Sequence, residues 1–431
     1  MEKTAPLKIL ILNHNLVERG TYFRAFKFAR YLASKGHKVT FITSSYRWYR
    51  TNIYRAGGVK VIESPSWSFI IGNDDGWSPL GILFRIKHVV LNKYDLVYGF
   101  SHKPVDFIPA LIAKYLKRAF YITDWCDWWA KGGLFSMIEE YRRQNQSISG
   151  FRKFVLSMYD RIEAPLEEFV PKRADMVTVI CNPLYERAKS VGIADERILH
   201  LVSGADTENV TPRNKLKSRK LIGLNALFQD NRVPGDAVFL GYTANYHMDE
   251  ALLLETVSKV CNAKPHVYFL VVGPEFRCSD KKMREMNLKV FDAARGTHIE
   301  SGENIIHFGR RPFREVPDFL GASDILVLPL SDNPYNRGRW PHKIGDYLAA
   351  GRPVAVNDVG DIPGLIKGKD VGVIAAPEPV DFADKIIGLI DEREKWDAMG
   401  ENARTIAETD LDWDRLGEKL HRNIIEKFEK N

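Results

Sequence analysis

The sequence predicts an α/β protein built from two doubly wound parallel sheets in series. Three observations predict it. The 431 residues exceed one ordinary core and fit two domains of roughly 200 residues each. Short β-branched runs alternate with longer amphipathic ones, the signature of parallel strands joined by crossover helices. The alternation breaks once, at Asp206–Asp236, and then restarts.

The first unit is the clearest. Leu7–Leu12 is an apolar run interrupted only by Lys8, and Asn13 to Gly20 follows as a polar loop closing on glycine. Thr21 is placed to cap a helix whose buried stripe includes Tyr22, Phe26, Ala29 and Ala33. Gly36 ends that helix and Lys38–Thr43 is the next strand. Further strands are expected at Asp95–Phe100, Ala119–Thr123, Met176–Ile180 and Ile198–Val202. Asp206–Asp236, with a Thr-Pro pair, a Lys/Arg cluster and Val233-Pro234-Gly235-Asp236, reads as an interdomain connection. Beyond it, strands are expected at Ala237–Tyr242, Val267–Val272, Ile305–Phe308, Ile325–Leu328 and Pro353–Val356. Helices are expected at Asp249–Cys261, Lys343–Ala350, Val380–Ile390 and Leu411–Lys430. The expected domains are therefore 1–205, a linker at 206–236, 237–410, and a C-terminal helix at 411–431 that packs back on the first domain.

Composition narrows the function classes. Hydrophobic residues at 45% and charged residues at 27% are ordinary globular values. No window approaches the roughly 18 uncharged apolar residues of a membrane span, and the N-terminus lacks the pattern of a signal peptide. Cys126, Cys181, Cys261 and Cys278 show no metal-ligand spacing and read as reduced thiols in a cytoplasmic protein. Charge is uneven. Residues 1–200 hold 30 Lys and Arg against 19 Asp and Glu, a surplus of +11, whereas the whole chain carries +7. A basic first half suits an anionic partner such as a membrane surface or a lipid-phosphate acceptor; the alternative is a solvated lysine-rich surface. Nothing in the chain matches a nucleic-acid-binding signature, so nucleic acid is not an expected partner.

Two loop-to-helix junctions are candidates for chemistry, because free N–H groups at such junctions attract phosphates. The first ends in Arg19-Gly20-Thr21 and has one glycine where a dinucleotide fingerprint has three. The second runs from Asn333 through Gly338, Pro341 and His342 to Lys343, with Asp346 three residues on. Pro341 suits a first helical position. Lys343 and Asp346 then share a face, either as a diphosphate and ribose site or as a surface salt bridge. A third segment, Tyr121 to Trp129, sets Asp124 and Asp127 among three tryptophans. Its rings either stack on sugars or pack in the core, and an acid near a reacting hydroxyl can act as a base. Two carboxylates three apart are a weak metal signal, and Asp74-Asp75 reads as a loop.

Pro341-His342-Lys343-Ile344-Gly345-Asp346 through Val354, with Asn357 to Pro363, resembles the donor-site helix of group 1 (family 4) GT-B glycosyltransferases. Gly20, Lys35 to Val39, Ser203-Gly204-Ala205-Asp206, His307 to Arg311, Ala322 to Pro329 and Met399 to Asp414 resemble that family's other landmarks, in the same order. The resemblance implies two Rossmann-like domains facing across a cleft and a retaining, metal-independent transfer from a nucleotide-sugar donor. The acceptor would be a glycan or a lipid-linked glycan, and no cofactor or metal is expected. It implies that His342, Lys343 and Arg310 or Arg311 neutralise the donor diphosphate while Asp346 holds the ribose. Asn245 lies in the stretch Gly241 to His247, where the family's Arg and Lys pair is not evident, and joins the donor set, and the Gly20 loop closes on the departing phosphate. Lys343 and Asp124 are the expected catalytic residues, Asp124 on the acceptor side. This sequence departs from the family at Gly338, where the first of two acids eight apart would stand; sugar contact would then fall to backbone amides, Arg337 or Arg339. A nucleotide-sugar epimerase of the same fold and a non-catalytic binding subunit are the rival readings.

Overall fold

The computed structural model describes residues 5–47, 49–67, 76–144, 149–228, 232–247, 249–296, 298–300 and 302–429, the side chains of 140–144 and 152 excepted. Asp74-Asp75 lies outside them. The chain forms two compact units, each with its own parallel sheet.

In the first unit β1 (Lys8–Leu16) leads to α1 (Tyr22–Ser34), β2 (Lys38–Ser44), β3 (Asn52–Ala56) and β4 (Val59–Ser64). Then come α2 (Pro79–Leu91), β5 (Leu96–Gly99), α3 (Pro104–Lys117), β6 (Phe120–Trp125), α4 (Leu134–Gln144), α5 (Gly150–Arg173), β7 (Met176–Val179), α6 (Asn182–Ser190) and β8 (Ile198–His200). The sheet order is β3-β4-β2-β1-β5-β6-β7-β8. Every pairing is parallel except β3 with β4, a hairpin not expected from the alternation. Gly57 and Gly58 at its turn have φ of +55° and +80°, the left-handed pair that a two-residue hairpin turn requires.

Two local expectations are corrected here. β1 does not stop at Leu12: it runs to Leu16 through a bulge, since Leu12 pairs Ile42 and Leu16 pairs Ser44. Asn13 and His14 are therefore buried strand residues rather than loop. Thr21 makes no side-chain cap; its hydroxyl lies 2.8 Å from Asn13 Oδ1 and 2.7 Å from Asn15 Oδ1. The buried face of α1 includes Tyr22, Ala25, Phe28, Ala29 and Leu32, with Phe26 and Ala33 at its half-buried edge.

The second unit contains α7 (Lys215–Leu221), β9 (Val238–Thr243), α8 (Glu250–Ala263), β10 (Val267–Val272), α9 (Asp280–Glu285), β11 (Val290–Asp292), β12 (Ile305–His307) and α10 (Val316–Ala322). β13 (Ile325–Leu328) precedes the short α11 (Pro334–Arg337). Residues Asn333–Trp340, α11 included, cluster with the first unit. The second unit resumes with α12 (Lys343–Ala349), β14 (Val354–Asn357), α13 (Ile362–Ile366), β15 (Gly372–Ala375), α14 (Pro379–Asp391) and α15 (Trp396–Thr409). Its sheet order is β11-β12-β10-β9-β13-β14-β15, parallel throughout. The stretch expected to be a linker differs: 204–228 belongs to this unit, and Leu224, Leu227 and Phe228 pack on Phe239 and Leu270. Pro341 is not the first helical residue either, because α12 starts at Lys343 with His342 as its cap. Among the described residues no helix is long and apolar enough to cross a membrane.

The last helix, α16 (Trp413–Glu429), belongs to the first unit and lies on α1. Its Leu416, Leu420 and Ile424 are buried, and Trp413 meets Phe28 edge-on. A side chain at Gly417 would collide with the Tyr31 ring, so glycine allows the two helices their close approach. His37 and His421 meet Nε2 to Nε2 at 3.0 Å. His37 Nδ1 accepts the Leu7 amide, so its Nε2 carries the proton and donates to His421. Burial and the neighbouring His421 push the His37 imidazole down to about 4 from 6.5. A neutral histidine is thus built into the fold, and its stabilising contribution is full above pH 6.5 and lost as pH falls through about 4. Urea midpoints of wild type should fall more between pH 7 and pH 4 than those of a His37→Gln/His421→Gln variant; equal slopes would remove this pair as the cause.

Candidate functional site

In an open parallel sheet the ligand-binding crevice lies beyond the carboxyl ends of the strands, where strand order reverses. In the first unit that point is between β1 and β5, and in the second between β9 and β13. Gly20 follows β1 and His102 follows β5 at the first reversal, and Asn245 follows β9 at the second.

At the first reversal, Gly20 has φ +51° and a Cβ there would sit 2.7 Å from Asn15 Oδ1, so a side chain would be strained and would displace Asn15. Asn15 Oδ1 accepts the Thr21 amide at 2.9 Å, fixing the turn into α1. Behind it, Arg85 and Asp106 form a fully buried ion pair of 2.6 Å. Arg85 also donates to the Asn13 carbonyl at 2.9 Å, and Ser101 donates to the second Asp106 oxygen. Next to β5, His102 is buried, and neither ring nitrogen has a hydrogen-bond partner among the described residues. Burial, then the Arg187 charge, hold it near 3, so it is a neutral imidazole. Sequence reasoning missed His102; its place directly after a strand at the reversal was the available signal.

Asp124 is where expectation and structure part. Its carboxylate is fully buried and receives Arg24 through two hydrogen bonds of 3.0 Å. Thr178 donates to it at 2.5 Å. Arg24 in turn donates to the carbonyls of Leu201 and Val202 at 2.6 and 2.7 Å. Both oxygens are committed to this network, so Asp124 is a positioning residue and not the acceptor's base. The acid presented in this segment is Asp127, half-buried, with burial pushing it up to about 7 despite the Arg339 charge.

Glu167, also missed, organises the tryptophan segment. It is buried and accepts the Trp125 indole at 3.1 Å, the Trp129 and Ala130 amides at 2.8 and 2.9 Å, and Arg187 at 3.0 and 2.7 Å. Trp125 is core, while Trp128 and Trp129 are half-buried. Arg187 lies over Trp128 at 4.4 Å. Trp128 explains Gly338: its amide donates to the Gly338 carbonyl at 3.1 Å, and a Cβ on Gly338 would sit 2.5 Å from Trp128 Cβ. An acidic side chain has no room at that position.

In the second unit α12 is tied to the end of β9. Tyr347 Oη accepts the Thr243 amide at 3.0 Å, and Lys343 Nζ lies 4.6 Å from the Tyr242 ring centre. A Cβ on Gly345 would meet Ala205 Cα at 3.1 Å, so its absence lets α12 lie against Gly204-Ala205. That approach sets Asp206 beside Asp346. Burial first, then the Asp206 charge, push the half-buried Asp346 carboxyl up to about 7. Asn245 is exposed on the loop after β9, and Arg310 lies 5.9 Å from the Tyr246 ring centre on the same loop. Arg311 instead turns back, donating to the Phe308 carbonyl at 3.0 Å and facing Glu315 at 3.9 Å. His342 is exposed beside Lys343. His247 and His307 both donate from Nε2 to the Pro274 carbonyl, at 2.6 and 2.8 Å, pinning the loop after β10. Among the described residues no group of three or more His, Cys, Asp or Glu side chains is arranged to hold a metal ion.

Comparison with known proteins decides the family. A Glycosyltransferase Family 4 model matches residues 21–209, and a model of the glycosyl transferases group 1 matches 236–392. The chain is a group 1/family 4-like GT-B glycosyltransferase by descent and fold. Among its relatives, the Bacillus subtilis protein named teichuronic acid biosynthesis glycosyltransferase TuaH is 24% identical over 68% of this chain. A Corynebacterium glutamicum GDP-mannose-dependent monoacylated alpha-(1-6)-phosphatidylinositol monomannoside mannosyltransferase is 24% identical over 58%. These matches span 64% and 62% of the relatives' own length, short of two thirds. Anabaena HepE, solved with UDP and glucose, shares the fold at a TM-score of 0.64, 15% identity, 97% of this chain and 100% of its own.

Within this chain two substitutions check the assignments. Asp124→Ala should cost about 3–5 kcal/mol of stability by leaving Arg24 buried and unpaired, seen in urea unfolding. If Asp124→Ala keeps wild-type stability and loses only turnover, the positioning role is wrong. Gly338→Glu, which would restore the family's acid, should lower the melting temperature without tightening donor binding; a gain in donor affinity at unchanged stability would show that the position does have room.

Proposed function

We propose that this chain transfers a sugar from a nucleotide-sugar donor to a glycan or lipid-linked acceptor, with retention at the anomeric carbon and without a metal. The observation that carries the reading is the second unit's cluster at the end of β9, where Lys343, Asp346 and Asp206 come together. It is supported by the resemblance of Pro341–Val354 to the family's donor-site helix. The bound UDP and UDP-glucose of HepE support a uridine nucleotide as the first donor to try.

Lys343, with Arg310 and the exposed His342, supplies the cations for a diphosphate, and Asn245 a neutral donor beside them. Asp346 accepts the ribose hydroxyls. In the first unit, the half-buried Asp127 and the neutral His102 take the part expected of Asp124, holding the acceptor hydroxyl. The reacting hydroxyl's proton goes to the departing donor phosphate, as the family resemblance implies. The basic surplus of the first half fits a cytoplasmic enzyme held at an anionic membrane where a lipid-linked acceptor lies. The phosphatidylinositol in one relative's name supports an acceptor of that kind.

Thermal-shift titration against UDP-, GDP-, ADP- and dTDP-sugars tests the donor reading, since a ligand of the native state raises stability with concentration. One nucleotide should separate from the rest, and Lys343→Ala should weaken it at least about tenfold. Donor affinity should rise as pH increases through about 7, where Asp346 ionises. Asp206→Asn should move that midpoint down, because it removes a charge that holds Asp346 protonated. A flat response to every nucleotide would leave only a non-catalytic subunit, and release of free epimerised sugar without acceptor would mark an epimerase.

A further inference from the structure

α5 is a 24-residue helix whose inward side holds Glu163, Glu167 and Val170. Its outward side is unusual for a surface helix. Phe151 and Phe154 are 77% and 67% exposed, and Met158, Ile162 and Phe169 follow at 40–45%. At 100° per residue these five fall on one stripe along the helix. The exposed charged side chains described on α5 are Arg161, Lys172 and Arg173, all cationic. None of its acids is exposed: Glu163 is paired with Lys103, Glu167 with Arg187, Glu168 with Lys131, and Asp160 is half-buried.

The C-terminal end of the stripe opens on a basic hollow of about 490 Å³. Lys114, Lys172, Arg173, Arg197 and Lys427 line it, with Asp175 the one acid in the lining. Three of these cations cap backbone carbonyls, which fixes their positions: Lys114 on Arg173, Arg197 on Lys172 and Lys427 on Glu196. Beside it Tyr115 and Leu116 are 59% and 70% exposed. Arg173 also lies 4.7 Å from the Phe169 ring centre, so the hollow and the stripe are continuous.

We propose that the outer face of α5 docks on an anionic phospholipid bilayer, the aromatic stripe entering the headgroup boundary and the basic hollow taking lipid phosphates. Charge complementarity selects this occupant: an α5 face with apolar and cationic groups and no exposed acid of its own, opening on a hollow lined by five cations and the half-buried Asp175, matches an anionic interface. Phenylalanine and methionine supply the apolar burial, while Arg161, Lys172 and Arg173 stay at the level of the headgroups. The inference rests on the membrane reading above and names the element responsible for it.

Flotation of the full chain with vesicles tests it. Wild type should float with phosphatidylglycerol-containing vesicles and far less with pure phosphatidylcholine. Phe151→Ser/Phe154→Ser should reduce partitioning at least about tenfold, and Lys172→Glu/Arg173→Glu should abolish the preference for anionic lipid. Both variants change exposed side chains, so melting temperature and the nucleotide-induced thermal shift should match wild type. Phe154→Trp should show a blue-shifted emission with anionic vesicles only. If wild type floats and both variants float equally well, α5 is not the docking face although the membrane reading stands. If wild type floats with no vesicle, both fail, whatever the donor titration shows. Light scattering that finds a dimer lost in Phe151→Ser/Phe154→Ser, with no flotation of wild type, would make the face a self-association surface and overturn the proposal.

Discussion

The buried pair between Arg24 and Asp124 is the constraint on which the first unit's active edge depends. One guanidinium bonds both carboxylate oxygens and two main-chain carbonyls, at Leu201 and Val202. It thereby joins α1, the end of β6 and the segment that leaves β8. An isolated charge in that interior is costly, and the pair persists because nearly every hydrogen-bonding position is filled. Since α1 begins at the Gly20 loop, the same contact sets where that loop stands. Arg85 and Asp106 repeat the device one layer away, holding the bulged end of β1 against α3.

Around these fixed points the two units offer differently charged groups. The first holds a buried neutral histidine and a half-buried carboxyl that burial keeps near half-protonation at neutral pH. The second presents exposed cations and a carboxyl raised by burial and a second carboxylate. Asp127 follows β6 and Asp346 lies in the first turn of α12, and burial is the first cause of both shifts. The tryptophan segment is held by Glu167 from α5, so the helix that carries the aromatic stripe outward also orders the candidate acceptor surface inward.

Much of the fold was legible in the sequence because a parallel strand buried on both faces has to be a short apolar run. Val267–Val272, Ile325–Leu328 and Met176–Val179 stand close to where that rule puts them. The β3–β4 hairpin escaped because its strands are short and half polar, and its one clear sign was Gly57-Gly58. The bulge in β1 escaped because Asn13 and His14 look like loop residues, and only burial beside Arg85 explains them as strand. Residues 206–236 looked like a linker on Pro, Gly and charge, yet its apolar Leu224, Leu227 and Phe228 had a core to join.

For the candidate site, the residue order alone carried the family landmarks, the Lys343–Asp346 spacing and the glycine at position 20. Those are local properties: a turn that excludes a Cβ, a helix spacing, a motif in sequence. What only tertiary structure decided is which polar groups are spent on holding the fold. Asp124 and Asp127 are three residues apart and chemically identical on paper; a buried arginine from α1 claims the first and leaves the second with a raised pKa. Gly338 looked like a missing acid, whereas Trp128, some two hundred residues earlier in the chain, leaves no space for one. Partners that are distant in sequence set desolvation and steric room, and no local pattern carries that information.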